Sequence, residues 1–335
     1  MKMNEHKFMM ELKIPSPGKY IRFKEKIMLI GSCFTEHIGN YLHDMKFSVM
    51  QNPNGILFDP LSVAQSLVAY TRKDHYKNID LFFHNDIWQS WEHHSRFSGT
   101  DKEQVYKQIN DSHQQAHEFL KDANWLIITL GTSFSYKLRE TGVDVANCHK
   151  APANLFLKEL LSVEKINASL DNCLHQLFHF NPKLQVIFTV SPVRHGRDGL
   201  IDNNRSKARL IEVVHHLVNK FDRLHYFPAY ELVIDVLRDY RFYDIDLVHP
   251  NYQATQFVTS KFAQSFIDIE SQHLMQRVQE IITSSKHRPF HPATPAHQSF
   301  LSSLKKKIEE LNALHPELDF TEQLKLINDQ QLNDE

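Results

Sequence analysis

Residues 27–35 read Ile-Met-Leu-Ile-Gly-Ser-Cys-Phe-Thr, four apolar residues that run directly into a Gly-Ser step. Such a run predicts a buried strand that ends at a glycine, and the composition of residues 36–45 is typical of a helix. Ser32 therefore stands at a predicted strand-to-helix turn. Because ligands of open α/β sheets bind beyond the carboxyl ends of the strands, a serine at this turn is a candidate nucleophile.

The rest of the chain continues this alternation of apolar runs and amphipathic segments. Further strands are predicted at residues 125–130, 184–190 and 225–227, and helices at residues 61–72, 101–121 and 206–221 and from Pro250 onward. Thr100 and Glu103 have the spacing of a capping box for the second of these helices. Strands that alternate with helices predict an α/β protein with a parallel sheet and helices on both faces.

Composition excludes some classes of protein. The 335 residues include 38 basic and 40 acidic side chains, so the chain lacks the basic excess of a nucleic-acid binder. It has neither the apolar h-region of a secretory signal nor an uninterrupted apolar run long enough for a membrane span. Its three cysteines lack paired spacing, which favours a reducing compartment. We therefore expect a cytoplasmic protein that binds neither nucleic acid nor membranes.

The character of the chain changes near residue 287. Prolines interrupt residues 289–295, and an amphipathic helix follows, with Leu301, Leu304, Ile308 and Leu311 on one side. We therefore divide the chain into a domain at residues 1–286 and a C-terminal helical extension at residues 287–335. The sequence leaves open whether this extension docks on the domain, is mobile, or pairs with a second copy to form a homo-oligomer.

A nucleophilic serine needs a base, and residues 246–250, Asp-Leu-Val-His-Pro, offer one. In a tight turn, the carboxylate of Asp246 reaches Nδ1 of His249, which leaves Nε2 free to face a hydroxyl. The order Ser, Asp, His along the chain is one that known hydrolases use. Cys33 is an alternative nucleophile beside Ser32, but a free cysteine at a strand end is typically a small buried apolar residue.

Small-residue turns predict donors for an oxyanion. Gly131 follows the strand at 125–130 and precedes two hydroxyl residues, which repeats the design of the first strand and Ser32. Gly55 ends the turn sequence Asn-Pro-Asn-Gly and has a main-chain N–H. Turns that converge at one sheet edge can place N–H groups around a developing negative charge.

At this point the chain resembles a known family, the GSCFA-domain proteins, a branch of the SGNH or GDSL-like hydrolases. The resemblance begins with Gly-Ser-Cys-Phe at residues 31–34, where Thr35 replaces the alanine of the family name. It extends over about residues 20–265 and includes NPNGILF (52–58), HHSRF (93–97), LGTS (130–133), NCHK (147–150), SPVRH (191–195), YFPAYE (226–231), LRDYRFY (237–243) and DLVHP (246–250). It implies a three-layer αβα sandwich with a flavodoxin-like parallel sheet, the SGNH hydrolase fold.

The resemblance also implies catalytic roles. Ser32 matches the nucleophile, His249 the general base and Asp246 the residue that orients the base. The main-chain N–H groups of Ser32 and Gly55 match two oxyanion donors. Many SGNH enzymes supply a third donor from an asparagine, but the corresponding residue here is Ser133. The alternatives for this third donor are the hydroxyl of Ser133 or Thr132, or the side chain of Asn147.

The resemblance implies an esterase that needs no metal and no organic cofactor. We expect it to remove a short acyl group, such as acetyl, from a carbohydrate or a cell-wall precursor. Candidate substrate-binding residues are His93, His94, Arg194 and His195. Two alternatives stay open, an acyltransferase that uses the same site and an inactive binding or scaffold protein on an SGNH fold.

His113 and His117 stand one helical turn apart, and we expect them on an exposed helix face rather than on a metal.

Overall fold

The computed structural model describes residues 9–72, 81–291 and 294–332. Its strands are β1 Lys26–Gly31, β2 Ser48–Gln51, β3 Phe82–His84, β4 Ile87–Gln89, β5 Trp125–Leu130, β6 Phe134–Leu138, β7 Asp144–Val145, β8 Phe156–Leu160, β9 Gln185–Val190 and β10 Leu224–Tyr226. Its helices are α1 Phe34–Asp44, α2 Pro60–Tyr70, α3 Lys102–Asp122, α4 Val163–Phe180, α5 Gly199–Lys220, α6 Ala229–Glu231, α7 Tyr252–Phe266, α8 Ile269–Ser285, α9 Pro295–Leu314 and α10 Thr321–Leu332. A π-helical segment, Leu232–Leu237, continues α6.

Five strands form one parallel sheet in the order β10-β9-β5-β1-β2. If only these strands are numbered along the chain, the order is 2-1-3-4-5, the flavodoxin-like order. The chain direction across the sheet reverses between β1 and β5, and such a switch point is where ligands bind in doubly wound folds. The predicted α/β class and three-layer arrangement are confirmed.

The two faces of the sheet have separate apolar cores, because successive side chains of β1 point to opposite faces. Ile27 and Leu29 pack with α1, α7, α8 and α9, whereas Met28 and Ile30 pack with α2, α3, α4 and α5. All four of these side chains are fully buried. The uninterrupted apolar run that predicted β1 is therefore explained by helices that cover both faces of the strand.

The end of β1 requires a glycine. Gly31 has φ +138°, and a Cβ added there would lie 2.1 Å from the Thr129 carbonyl oxygen of β5. The next residue, Ser32, donates its main-chain N–H to this carbonyl at 3.0 Å. Strands β1 and β5 thus approach too closely at this position for any residue with a Cβ. The turn that follows carries Ser32 out of the sheet.

The C-terminal extension docks on the domain. Leu301, Leu304, Ile308 and Leu311 of α9 and Ile327 of α10 are buried in the same apolar cluster as Ile27 of β1. The extension therefore covers part of one face of the sheet.

None of the helices in the described ranges combines the length and the apolar character that a membrane span requires.

Two predicted helix starts are wrong. Helix α3 is capped by Asp101, whose carboxylate accepts hydrogen bonds from the N–H groups of Glu103 and Gln104, so Thr100 is not the cap. Helix α7 begins at Tyr252, and its cap is Asn251, whose Oδ1 accepts from Ala254 N–H at 3.1 Å. Asp101 follows the predicted cap Thr100 by one residue, and Asn251 follows the predicted first residue Pro250 by one, and each satisfies first-turn N–H groups.

We expect Gly31→Ala to destabilise the protein more than Gly142→Ala does. Both glycines have positive φ, but nothing lies within 4 Å of a Cβ at Gly142. Gly142 at φ +69° lies in the left-handed region that other residues can reach, whereas Gly31 at φ +138° lies outside it. Gly31→Ala also adds an overpacking cost of about 1–3 kcal/mol. Urea denaturation followed by circular dichroism measures both variants. Equal losses of stability would contradict the close approach of β1 and β5.

Candidate active site

Ser32 lies at the carboxyl edge of the sheet, between the end of β1 and the start of α1. Its side chain is 1% exposed, and its Oγ has no hydrogen-bond partner within the described ranges. The neighbouring turn after β5 touches it, since a Cβ added to Gly131 would lie 3.2 Å from the Ser32 Cβ. The hydroxyl is thus held at the switch point of the sheet without a competing partner among those residues.

The predicted pairing of Asp246 and His249 is present in the structure. His249 Nδ1 lies 2.6 Å from Asp246 Oδ2, and Asp246 Oδ1 accepts from the N–H groups of Val248 at 2.8 Å and His249 at 3.0 Å. The His249 main-chain N–H, its ring and the Val248 N–H together lower the pKa of Asp246 to about 2. The carboxylate is therefore ionised at neutral pH, so Nδ1 carries the proton and Nε2 is left to act as a base.

The turn that makes this pairing is strained. Leu247 has φ +56°, a left-handed conformation that a leucine adopts at a steric cost. The turn is closed by the Leu247 N–H, which donates to Asp244 O at 2.9 Å, and by the Asp244 N–H, which donates to His249 O at 2.8 Å. Strain of this kind persists only where surrounding bonds fix the backbone, and it is common at functional sites.

Arg194 fastens this turn to the sheet edge. It follows β9, and its main-chain N–H donates to Val248 O at 3.2 Å while its Nη1 donates to Leu247 O at 3.0 Å. The guanidinium also packs 4.2 Å from the ring centroid of Tyr243 and 5.4 Å from that of Tyr240. Arg194, a predicted substrate-binding residue, thus holds the loop that carries His249.

His249 and Ser32 both lie near helix α1, but no hydrogen bond joins their side chains in this structure. Partial burial lowers the pKa of His37 on α1, and the charge of nearby His249 lowers it further. His249 therefore lies near the first turns of the helix that Ser32 precedes. Within the described ranges Ser32 Oγ makes no hydrogen bond, so no bond to His249 Nε2 is formed in this structure. Catalytic hydrogen bonds commonly tighten only when substrate binds.

The predicted main-chain oxyanion donors are already engaged. Ser32 N–H donates to Thr129 O at 3.0 Å, and Gly55 N–H donates to Asn52 O at 2.7 Å. An oxyanion would have to share or replace these bonds. The bond of Gly55 closes the Asn-Pro-Asn-Gly turn that the sequence predicts, whereas the acceptor of Ser32 lies on β5 and follows only from the folded sheet.

The hydroxyls proposed for the third donor contact Ser206 of α5. Ser133 Oγ donates to Ser206 O at 3.1 Å, and Thr132 Oγ1 lies 3.0 Å from Ser206 Oγ. Ser133 is fully buried. These two side chains fasten the Gly131 turn to α5, so in this structure both hydroxyls are engaged.

Asn147 also has a local structural role. Its Oδ1 accepts the main-chain N–H of His149 at 2.9 Å, and its own N–H donates to Trp91 O at 3.2 Å. His149 in turn contacts Ser90 O through Nε2 at 2.7 Å. Asn147 thus belongs to the cluster around Trp91 and His149 rather than to the turn at Ser32.

The two adjacent histidines differ in their surroundings. His93, a predicted substrate-binding residue, is 1% exposed and its Nδ1 lies 3.0 Å from Ser90 Oγ, so the structure places it in the core. His94 is half-buried and packs on Gly55, where an added Cβ would lie 2.1 Å from the His94 Cβ. Of this pair, only His94 stands where a substrate could meet it.

His195 lies close to the Gly131 turn. Its ring meets that of Phe58 edge to face, with centroids 5.8 Å apart. Burial, together with the charge of Lys207, lowers the pKa of His195 to about 4. The imidazole is therefore neutral at physiological pH and half-buried beside the turn that touches Ser32.

Sequence reasoning missed Lys207 of α5, which is 1% exposed. Its ammonium donates to the carbonyls of Gly131 at 2.5 Å and Ser191 at 2.6 Å, which ties the ends of β5 and β9 together. Burial lowers the pKa of Lys207 to about 7, and the nearby Cys33 thiol opposes this shift. A signal was present, because Lys207 falls on the apolar stripe of α5 next to Ser206 and Leu210, where a lysine is unusual.

The other reactive side chains do not form a second site. Burial raises the pKa of the Cys33 thiol, so its nucleophilic thiolate is disfavoured. His113 and His117 are buried, not exposed as we expected, and their rings contact the carbonyls of Arg72 and Tyr70. Across the described ranges, no three His, Cys, Asp or Glu side chains are arranged to hold a metal ion.

Comparison with known proteins identifies two matching family profiles. That of the GSCFA family matches residues 26–262, and that of the GSCFA domain protein, C-terminal domain, matches residues 278–333. The first match contains Ser32, Asp246 and His249. The second begins within α8, before the boundary at residue 287 that we predicted. A search of curated proteins finds no match to this chain.

Three solved structures illustrate what the chain is similar to, each at 11% identity. A carbohydrate esterase family 3 protein from Talaromyces cellulolyticus has a TM-score of 0.36, with 76% of this chain and 99% of that one covered. A family 3 carbohydrate esterase from Clostridium thermocellum has a TM-score of 0.37, with 75% and 99% covered. An acetyl esterase mutant with acetate ion has a TM-score of 0.36, with 77% and 99% covered. Scores this low assign no function.

We expect His93 to make the protein sensitive to acid. Burial lowers the pKa of His93 from 6.5 to about 3, so between these values the unfolded chain binds a proton that the folded chain does not. Stability must therefore fall as the pH drops below 6.5. His93→Asn removes this titrating group. The slope of the free energy of unfolding against pH should then fall by up to about 1.4 kcal/mol per pH unit. Urea unfolding at several pH values measures it, and a slope equal to that of the wild type would refute the assignment.

Proposed function

This chain belongs to the GSCFA family, and we propose that it is a serine-dependent ester hydrolase of the SGNH type. One observation carries the proposal. A histidine held by an ionised aspartate at 2.6 Å lies on a turn that is fastened to the same sheet edge as Ser32. Ser32 itself is buried, and its hydroxyl has no partner in the described ranges. Nucleophile, base and orienting acid are the three parts that acyl transfer requires.

The proposed reaction starts when His249 Nε2 takes the proton of Ser32 Oγ as this oxygen attacks the ester carbonyl. Asp246 holds the imidazole in the required tautomer and stabilises the imidazolium that forms. The tetrahedral intermediate collapses to an acyl-enzyme when the alkoxide leaves with the proton from His249. Water then repeats the sequence, with His249 again as the base, and releases the carboxylic acid.

We propose a short acyl ester of a carbohydrate, or of a cell-wall precursor, as the substrate. The rim of the site supports a polar ring-shaped ligand, because Tyr240 is 62% exposed beside Arg194 and near the His249 turn. An exposed aromatic ring next to a cation and a few polar groups is typical of sites that orient such ligands. His94 and neutral His195 complete the polar groups at this edge.

One observation favours a different class of function, a binding protein that has lost catalysis. The N–H groups of Ser32 and Gly55 are engaged with carbonyls, and the hydroxyls of Thr132 and Ser133 face Ser206. Loss of a single oxyanion donor typically lowers a rate by about 10²–10³-fold. A protein without Ser32-dependent turnover would be explained in this way.

Ser32→Ala and His249→Ala should each lower kcat for short-chain aryl esters by about 10⁴-fold or more, with the fold intact. Fluorophosphonate labelling of the wild-type protein should be stoichiometric and should disappear in Ser32→Ala. Mass spectrometry of the labelled peptide identifies the residue. Analysis of products with and without an alcohol acceptor then separates hydrolysis from acyl transfer.

Two matched controls belong to this experiment. Ser191→Ala removes another buried serine that follows a strand at the same edge, and labelling should persist. His175→Ala breaks a different pair of histidine and aspartate, His175 with Asp171 at 3.6 Å on α4, and should leave kcat unchanged. Full activity of Ser32→Ala or of His249→Ala would remove that residue from the mechanism.

A further inference from the structure

Asn52, the residue after β2, has a polar group that the fold does not use. Its side chain is fully buried, and its Oδ1 accepts the main-chain N–H of Gly31 at 2.9 Å. The amide nitrogen Nδ2 is also buried and has no hydrogen-bond partner in the part of the chain that the structure describes. A buried N–H donor without an acceptor is destabilising and calls for a functional explanation.

The orientation of this amide follows from its neighbour. Gly31 N–H is a donor, so the oxygen of Asn52 must face it and the NH₂ group must lie on the other side of Cγ. The main chain of Asn52 is fixed as well, because its carbonyl accepts hydrogen bonds from the Gly55 N–H and from the Arg96 guanidinium. The donor is therefore held beside the residue that precedes Ser32.

A second asparagine in the same turn shows the contrast. Asn54 is equally buried, but its Nδ2 donates to Ser66 Oγ at 3.0 Å and its Oδ1 accepts from Tyr70 OH at 2.7 Å. Asn54 is thus a satisfied structural residue. Both asparagines have their side-chain acceptor used, and Asn52 differs in that its side-chain donor is unused.

We propose that Asn52 Nδ2 donates to the oxyanion that forms when Ser32 attacks an ester, an inference that rests on the proposed function. As Ser32 Oγ bonds to the carbonyl carbon, the π-electron pair moves onto the carbonyl oxygen and the serine proton goes to His249. The Asn52 N–H then stabilises this negative oxygen until the leaving group departs with the proton. The amide absent at Ser133 is supplied from the end of β2 instead of the end of β5.

The alternative explanation is structural: asparagine occupies position 52 only because it tolerates the backbone conformation there. Asn52 has φ +46°, and asparagine tolerates this left-handed conformation better than most residues. Glycine tolerates it too. A glycine variant keeps the backbone conformation but lacks both the donor and the acceptor for Gly31 N–H, so a second variant that keeps this acceptor is needed beside it.

Asn52→Asp keeps the acceptor for Gly31 N–H and replaces the donor with an oxygen, whereas Asn52→Gly keeps the backbone conformation and removes the side chain. Both variants should lower kcat by about 10²–10³-fold with little change in KM, and both should weaken binding of an alkyl boronate, a tetrahedral analogue, by a similar factor. Asn54→Ala is the matched control. It should lower thermal stability but leave kcat of the folded protein unchanged.

The outcomes are distinguishable. A wild-type protein with no Ser32-dependent turnover overturns the proposed function and this inference with it. An active wild-type protein with Asn52→Gly at full kcat overturns this inference alone. If neither variant folds, NMR of the wild type decides, because boronate binding should shift the Asn52 side-chain amide protons downfield. Unchanged amide resonances in the bound protein would refute the assignment.

Discussion

The hydrogen bond from Ser32 N–H to the Thr129 carbonyl is the contact on which the arrangement of the site depends. It extends the pairing of β1 and β5 by one residue beyond the sheet, and it exists only because Gly31 leaves room for the Thr129 oxygen. Once it is made, Ser32 faces the Gly131 turn and α1 begins directly behind it. The switch point of a doubly wound sheet thus becomes a place for a nucleophile.

Around this contact, buried polar groups fix the loops, and the proposed base stands at the surface. The Lys207 ammonium joins the turns after β5 and β9, and the Phe58 carbonyl accepts the N–H groups of both Gly131 and Thr132. The imidazole of His249, by contrast, is about half-exposed on its turn. The rigid groups set the position of the edge, while the base remains accessible to a substrate.

Local patterns predicted those features that depend on local physics. The apolar run before Gly31 predicted β1, and the spacing of Asp246 and His249 predicted their hydrogen bond, since both depend on a few consecutive residues. The bond from the Ser32 N–H to Thr129, the contact of Ser133 with Ser206 and the bonds of Lys207 to Gly131 and Ser191 join distant segments. Such contacts can be predicted only when the order of the strands in the sheet is known. Hydrophobic periodicity contains no information on which turn faces which helix.

The docking of α9 and α10 has a consequence for biosynthesis. Ile27 and Leu29 share their cluster with Leu301 and Ile327, which are synthesised nearly three hundred residues later. On a ribosome that adds about 5–20 residues per second, this face of the nascent sheet waits many seconds for its last cover. The strand that precedes Ser32 is therefore fully enclosed only after α10 has been synthesised, and until then a chaperone would find an apolar surface to bind.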